Sequence, residues 1–488
     1  MARQSLIMAS DKTLNAKNLM ALGAERLAEL LLEMAVGDAA AKRRLRLELA
    51  SRSGGDDVAA EIRKRLATIA KAKSYVDWHK IRALAKDLET QRAAIMKHVA
   101  PTRPADALDL LWRLLELAPS IYERCDDSNG TIGDIMDEAL DNLGQVALAA
   151  NLAPEKLAER VIAGVCKNDY AQFDGLIEVM AEALGKAGLG LLKAKFEALS
   201  SVPLARAKGQ ERRIVAISSR GPMYEDDFAR DHHARTMRSA LTEIADALGD
   251  VDGYAARFTP SEQANPAIAA DIATRLLGAG RTQEAMAALS KADPESGKRR
   301  RWPDWEQVRI DTLEALGRSA EAQDERRAIF ERDLNADYLG AYLKRLPDFD
   351  DEEAENRALA HARAYAGIHQ ALEFLVGWPN QTLAHGIAAQ LVLERHGELD
   401  GDHYWLLTPA ADALDQRYPL VATLLLRAMI DFALDKARSK RYGHAARHLQ
   451  TCEYLSKRID DWAGHPDHET YLAGLKLRHG RKAAFWNP

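Results

Sequence analysis

Only three of the 488 residues are cysteine, Cys125, Cys166 and Cys452. They are too few and too widely spaced for a disulfide framework or a zinc knuckle, and they suit a reducing compartment. Aromatic residues make up 6% of the chain, so large stacked cores are not expected. No window approaches the roughly 18 uninterrupted apolar residues of a membrane span. The apolar run in the opening MARQSLIMASDK is too short for a secretory leader. The expectation is a cytoplasmic protein without a membrane anchor. Catalytic signatures are also missing: there is no HExxH and no Gly-x-Ser-x-Gly. The glycines at 188–190 and 278–280 lack the Lys-Ser/Thr that completes a phosphate cradle. No cofactor is expected, and no catalytic residue.

Helix formers fill the space. Apolar residues are 47% and charged residues 29%, with Ala and Leu dominant beside Glu, Arg and Lys, a palette that favours helix over strand. The net charge of −6 excludes a chain that binds nucleic acid through overall charge. The charge is uneven, however. Residues 1–100 hold 19 Lys+Arg against 12 Asp+Glu, and residues 101–205 hold 9 against 17. Such asymmetry can steer a partner.

The most informative stretch is LLGAGRTQEAMAAL at Leu276–Leu289. Two leucines close one helix, Gly278 and Gly280 let the chain reverse, and Ala285 and Leu289 point back inward. The form recurs as LEALGRSAEAQ at Leu313–Gln323, and more loosely as DKARSKRYGHAARHL at Asp435–Leu449, with Arg441 and Ala445 in the places of Arg281 and Ala285. One hairpin cannot bury its own apolar face, so neighbours must stack. The pattern predicts an all-α, right-handed, TPR-like α-solenoid of stacked helical hairpins in two halves. Residues 1–12 read as a tail, 13–202 as an N-terminal helical domain and 203–230 as a linker or mobile loop with a β-like run at Ile214–Ile217. Residues 231–480 read as a C-terminal repeat domain, and 481–488 as a basic tail with Phe485-Trp486 exposed.

The hairpins resemble tetratricopeptide-like repeats without their full consensus of aromatic and proline positions. The stretches LNAKNLMALGAERLAELLLEMAVGDAAAKRRLRLELA, VDWHKIRALAKDLETQR, ERCDDSNGTIGDI, GELDGDHYWLLTPAADAL and HGRKAAFW resemble an uncharacterised family of bacterial helical-repeat proteins, common in alphaproteobacteria. That resemblance spans nearly the whole chain and implies the fold without any chemistry. The last third is similar to helical regions of SWIM zinc-finger proteins, but lacks their Cys-x-Cys and Cys-x-His signature.

Candidate sites follow from local chemistry. Cys125–Gly130 hints at a calcium loop. With Gly130 in the sixth position, however, Cys125 and Met136 fall where calcium needs Asp and a bidentate Glu. A cap-and-turn is the simpler reading, with Asp126 and Asp127 as possible acceptors for a partner. His444, His448 and Cys452 recur every four residues on one helix. The outer two lie about 12 Å apart on a 1.5 Å rise, so one ion cannot take all three. His396, Asp400, Asp402 and His403 form a second cluster, read as a loop with Asp402 capping the next helix. Arg299, Arg300 and Arg301, followed by Trp302 and Trp305, form the sharpest basic patch. With Arg43 and Arg44, and beside them Arg63 and Arg65, they could serve nucleic acid, since Arg binds phosphate side-on and Trp stacks on bases. Three functions are weighed: a scaffold binding a protein or peptide on a helical-repeat surface, a nucleic-acid binder through these cations, and a metal-dependent enzyme at a histidine cluster.

Overall fold

A computed structural model describes residues 13–202, 204, 212–218, 221–292, 294 and 301–486. The chain is 75% helical. Among the described residues the only strands are Ile214–Ser218 and Gly221–Tyr224, paired as one antiparallel hairpin. The all-α solenoid expectation holds. Two compact units divide the chain, residues 1–263 and 264–488.

In the first unit, helices start where the capping chemistry places them. The Asn15 side chain accepts from the Asn18 amide at 2.9 Å, Asp38 from the Ala40 and Ala41 amides, and Asp77 from the His79 amide at 3.0 Å. Each satisfies backbone donors that the first turn leaves open. Two helices follow Asn15, Ala16–Met20 and Ala24–Ala35. One core cluster of this unit takes in buried residues from Leu47 to Ile244.

The boundary between units falls at residue 263, later than the 203–230 segment expected. Glu225–Ala247 is a 23-residue helix that packs along the Leu176–Ser201 helix. Its Met237, Leu241 and Ile244 share one core with Leu192 and Phe196. The polar, Gly- and Pro-bearing composition of 203–230 marks a connection, but the apolar stripe beyond it belongs to the first unit.

The second unit is a run of helical hairpins: Pro266–Gly278 with Thr282–Leu289, Pro303–Ala315 with Ser319–Asp333, and so on through Tyr404–Leu414, Pro419–Asp435, Tyr442–Ser456 and His468–His479. Each packs on its sequence neighbour or the one beyond, which is the nearest-neighbour stacking of a solenoid. The repeated corner is a hydrogen-bonded device. The Arg281 amide donates to Leu276 O at 2.8 Å and the Gly280 amide to Leu277 O at 2.9 Å; Arg318 and Gly317 repeat this on Leu313 and Glu314, both at 2.9 Å. These bonds close the last carbonyls of the preceding helix, and they require a left-handed residue after it. Gly280 and Gly317 supply it, each at φ 73°.

In the third copy the bonds come from Arg438 and Ala437 onto Ala433 and Leu434. Arg438 therefore holds the corner, and Ala437 adopts φ 49° without being glycine. A 3-10 turn at Ser439–Arg441 lengthens this corner, leaving Arg441 directly before the next helix, as Arg281 and Arg318 are. The C-terminal aromatic pair is not exposed. Phe485 is buried against Tyr442, and the Trp486 indole donates to His479 O at 3.0 Å.

Candidate functional site

The residues singled out in the sequence mostly meet partners within the fold. Both Asp127 oxygens accept from the Ile132 amide, and one from the Gly133 amide, at 3.0–3.1 Å. Asp127 thus caps the Thr131–Ala150 helix. Asp126 accepts from the Ser128 amide at 3.1 Å, so the loop is a turn and cap. Arg43 lies 3.4 Å from Asp87, which Arg65 also binds, and Arg63 binds Asp106 at 2.6 Å. Arg44 is exposed. Arg299 and Arg300 lie outside the described residues. Arg301 sits 3.0 Å from Asp333. Trp302 is half-buried at the start of the Pro303–Ala315 helix. The Trp305 indole donates to Leu289 O at 3.3 Å beneath Arg309.

The histidine groupings are rearranged. Cys452 is fully buried, and burial pushes its thiol up to about 12; it behaves as a small core residue. His444 accepts from Arg447 at 2.9 Å. The second cluster splits: His403 packs on His369 with ring centres 4.2 Å apart, and His396 on His465 at 4.4 Å. Asp402 does not cap the next helix. Its carboxylate accepts from Arg441 at 2.7 Å, and its own amide donates to Asp400 at 2.9 Å. Among the described residues no three of His, Cys, Asp or Glu are grouped to hold a metal ion.

Two cavities flank the Pro419–Asp435 helix. This helix is nearly all apolar because it packs on the helices before and after it, so its few polar side chains mark what is unusual about it. On one side, a cavity of about 250 Å³ is lined by Tyr404, Thr408, Met429, Arg441, His444 and His448. Arg441 lies over the Tyr404 and Phe432 rings at 4.7 and 5.6 Å. On the other side, a groove of about 520 Å³ runs past His396, Arg427, Asp431, Asp435, His465 and Arg478. Gly401 lines both. A Cβ there would lie 2.1 Å from Ala428 O and 2.6 Å from Phe432 Cβ, so only glycine lets the 396–403 loop sit directly on the helix and divide the two spaces.

Arg427 was missed by the sequence reading. It interrupts LLLRAMIDF in a largely apolar helix, and a lone cation there is the signal that could have found it. It is 5% exposed. Its guanidinium lies 5.0 Å from the Trp462 ring centre and 4.2 Å from that of Tyr471. Nη1 donates to Pro466 O at 2.7 Å. Nε and Nη2 are buried with no hydrogen-bond partner. Burial pulls the guanidinium below its usual value, a buried cation being costly without an anion. The nearby acids are engaged elsewhere: Arg478 lies 3.2 Å from Asp431 and 3.8 Å from Asp435, which His479 also meets at 2.9 Å. Burial raises the Asp431 carboxyl and the Tyr471 phenol alike.

A family model described as a family of unknown function, DUF6880, matches residues 9–488. None of the curated proteins matches the chain. Among solved structures, one similar chain is a circular tandem repeat protein with novel repeat topology and enhanced subunit contact surfaces. It is 13% identical, with 97% of this chain and 94% of that chain covered and a TM-score of 0.11, a superposition with no bearing on the fold described above. The family match takes in both units, the glycine-arginine corners and the groove along Pro419–Asp435, and this chain belongs to that family of unknown function, DUF6880.

Proposed function

We propose that the chain is a scaffold or adaptor whose C-terminal unit takes a protein or peptide segment into the groove along the Pro419–Asp435 helix. The observation that carries this reading is the groove itself. Its volume of about 520 Å³, with a mixed-charge lining and a polar anchor at its base, lies in the range of sites that enclose a ligand of a few residues. Tyr404, 50% exposed and lining the neighbouring cavity, and Trp405 next to it in the chain, 63% exposed, add the rigid aromatic contacts that anchor protein interfaces. Stacked helical repeats commonly present such surfaces to extended partners.

Anisotropy of a fluorescein-labelled random hexapeptide pool, titrated with the full chain, tests the reading. Gly397→Trp would plug the groove, since a Cβ at this lining position meets nothing within 4 Å. Gly340→Trp, equally open but on another helix, is the control. Saturable binding lost only in Gly397→Trp supports the groove. Absence of binding to the wild type, or equal binding by both variants, overturns it.

A nucleic-acid reading draws on one observation in the first unit. Arg43, Arg46, Lys64 and Arg65 line a cleft of about 120 Å³. Arg43 and Arg65 already meet Asp87 there, which leaves Arg46 and Lys64 to meet phosphate. A random DNA duplex in the same assay should then bind with a shallow dependence on salt, in keeping with few phosphate contacts.

A further inference from the structure

The chain has a consistent habit with arginine. The Nε and Nη2 edge of the guanidinium presents two parallel N–H donors matched to a carboxylate. At Arg281 this edge is filled by Glu284 at 2.8 and 2.6 Å, at Arg318 by Glu321 at 2.6 and 2.5 Å, and at Arg395 by Glu398 at 3.0 and 2.6 Å. Arg363 meets Glu394 and Arg65 meets Asp87 through the same two nitrogens. At Arg427 these two atoms are the ones without a partner. The residue is 5% exposed, lines the groove, and has its guanidinium over the Trp462 and Tyr471 rings while Nη1 is tied to Pro466. The fork is thus oriented, desolvated and empty.

We infer that the Nε–Nη2 edge of Arg427 is the subsite for a ligand carboxylate, supplied by the peptide segment that occupies the groove. This inference rests on the peptide-binding reading above and adds the chemistry of the anchor. A single negative charge fits better than a phosphate dianion. Asp431 and Asp435 meet Arg478 and not the Arg427 edge, and two carboxylates in the same lining would repel a second negative charge on the ligand. Both free nitrogens are shielded from water, so the carboxylate enters as the turn from Trp462 to Pro466 shifts. That turn is closed by the His465 amide on Trp462 O at 2.8 Å, and His465 faces the groove.

The test uses the full chain and three fluorescein-labelled hexapeptide pools free of Asp and Glu except where stated. One ends in a free carboxylate, one in an amide, and one in an amide with a single Glu added. The wild type is expected to bind the free acid, the Glu-bearing amide or both about tenfold or more tighter than the plain amide, the scale of a charge-assisted pair. Which of the two wins tells a terminal from a side-chain carboxylate. Arg427→Met and Arg427→Lys should each erase the preference. The lysine variant keeps the charge and loses the fork, and circular dichroism confirms that both variants are folded. Equal binding of all pools by the wild type, a preference that survives in Arg427→Lys, or displacement of the acid pool by inorganic phosphate more readily than by acetate overturns the carboxylate subsite while peptide binding stands. Failure of every pool to bind overturns both readings.

Discussion

Arg65 and Arg427 are both arginines drawn into a helical core, and they differ in what closes the donor edge. In the N-terminal unit, Asp87, with a side chain 8% exposed, receives Arg65 through Nε and Nη2 and draws in Arg43 at 3.4 Å. Gln91 adds a bond to the same carboxylate at 3.2 Å. In the C-terminal unit, Arg427 is buried more deeply, with two aromatic rings and one carbonyl but no acid within ion-pair reach among the described residues. In the first arrangement the acid that closes the Arg65 edge comes from within the chain, although Arg43 Nε and Gln91 Oε1 beside it have no partner. The second leaves both edge nitrogens of Arg427 buried without an acceptor, on a residue that lines the groove. A buried charge is therefore a guide to function only after its partners have been counted.

The comparison breaks most readily at Asp87. Asp87→Ala leaves two converging arginines and Gln91 without their acceptor. A fully enclosed pair broken in this way costs about 3–5 kcal/mol; here both arginines are partly exposed and can turn toward water, so about 2–3 kcal/mol is expected. Urea unfolding of the full chain measures the loss, and amide exchange should quicken in the Trp78–Ala94 helix first. A loss below about 1 kcal/mol would mean that the Asp87 cluster is no more structural than a surface pair.

Gly401→Ala addresses the other region. The added Cβ would press on the Ala428 carbonyl, a backbone atom that moves only with its helix. Overpacking of this kind costs about 1–3 kcal/mol. The expected signature is a lower unfolding midpoint, with faster exchange confined to Tyr404–Leu414 and Pro419–Asp435. Unchanged exchange there would show that the 396–403 loop does not need to sit against the helix.

The sequence made the corners legible because a Schellman turn is local: LLGAGR and LEALGR contain the left-handed glycine and both bonding partners within six residues. A further corner at Ala245–Asp250 went unread, although DALGD has the same shape. Gly249 is left-handed there and the Asp250 amide bonds Ala245 O at 2.8 Å; an aspartate in the arginine's place hid the likeness. The caps at Asn15 and Asp77 are equally local, each meeting an amide in the first turn that follows, whereas Asp127 caps from four residues before the helix starts. The pairing of His396 with His465 and of His369 with His403 depends on packing between distant segments, and no spacing along the chain encodes it. Arg427 lies between these cases. Its oddity is visible in LLLRAMIDF, but that its fork is empty can be learned only by knowing what surrounds it.

Acid should act on the C-terminal unit through four of its histidines. Burial, acting first, holds His448, His369, His465 and His468 below their usual 6.5. At His448, the neighbouring His444 and Arg447 push the same way and Asp412 opposes them. A depressed histidine is neutral in the fold and takes up its proton more readily once unfolded. Its stabilising contribution is therefore complete above about 6.5 and is lost as pH falls through the folded value. The urea midpoint of the C-terminal unit should drop between about pH 7.5 and 5.5, and His448→Gln should shrink that drop. An identical pH profile in the variant would show that His448 contributes none of it.

The smallest expected effect is the most discriminating. Arg427→Met removes the bond to Pro466 and the attraction to two rings, but it also removes the cost of keeping a cation in a dry site with two unused donors. Methionine has similar length and suits contact with Trp462 and Tyr471. Replacing buried charge with a well-packed apolar side chain is often neutral or favourable, so stability is expected within about 1 kcal/mol of wild type, in either direction. Set beside Asp87→Ala, this separates two uses of a buried cation. If Arg427 were a structural element like Arg65, its loss would cost several kcal/mol, and its free edge would have to be satisfied inside the fold by something other than a ligand. If the loss is near zero, the chain gains little stability from keeping arginine there, and what the residue does must be sought in the groove it faces.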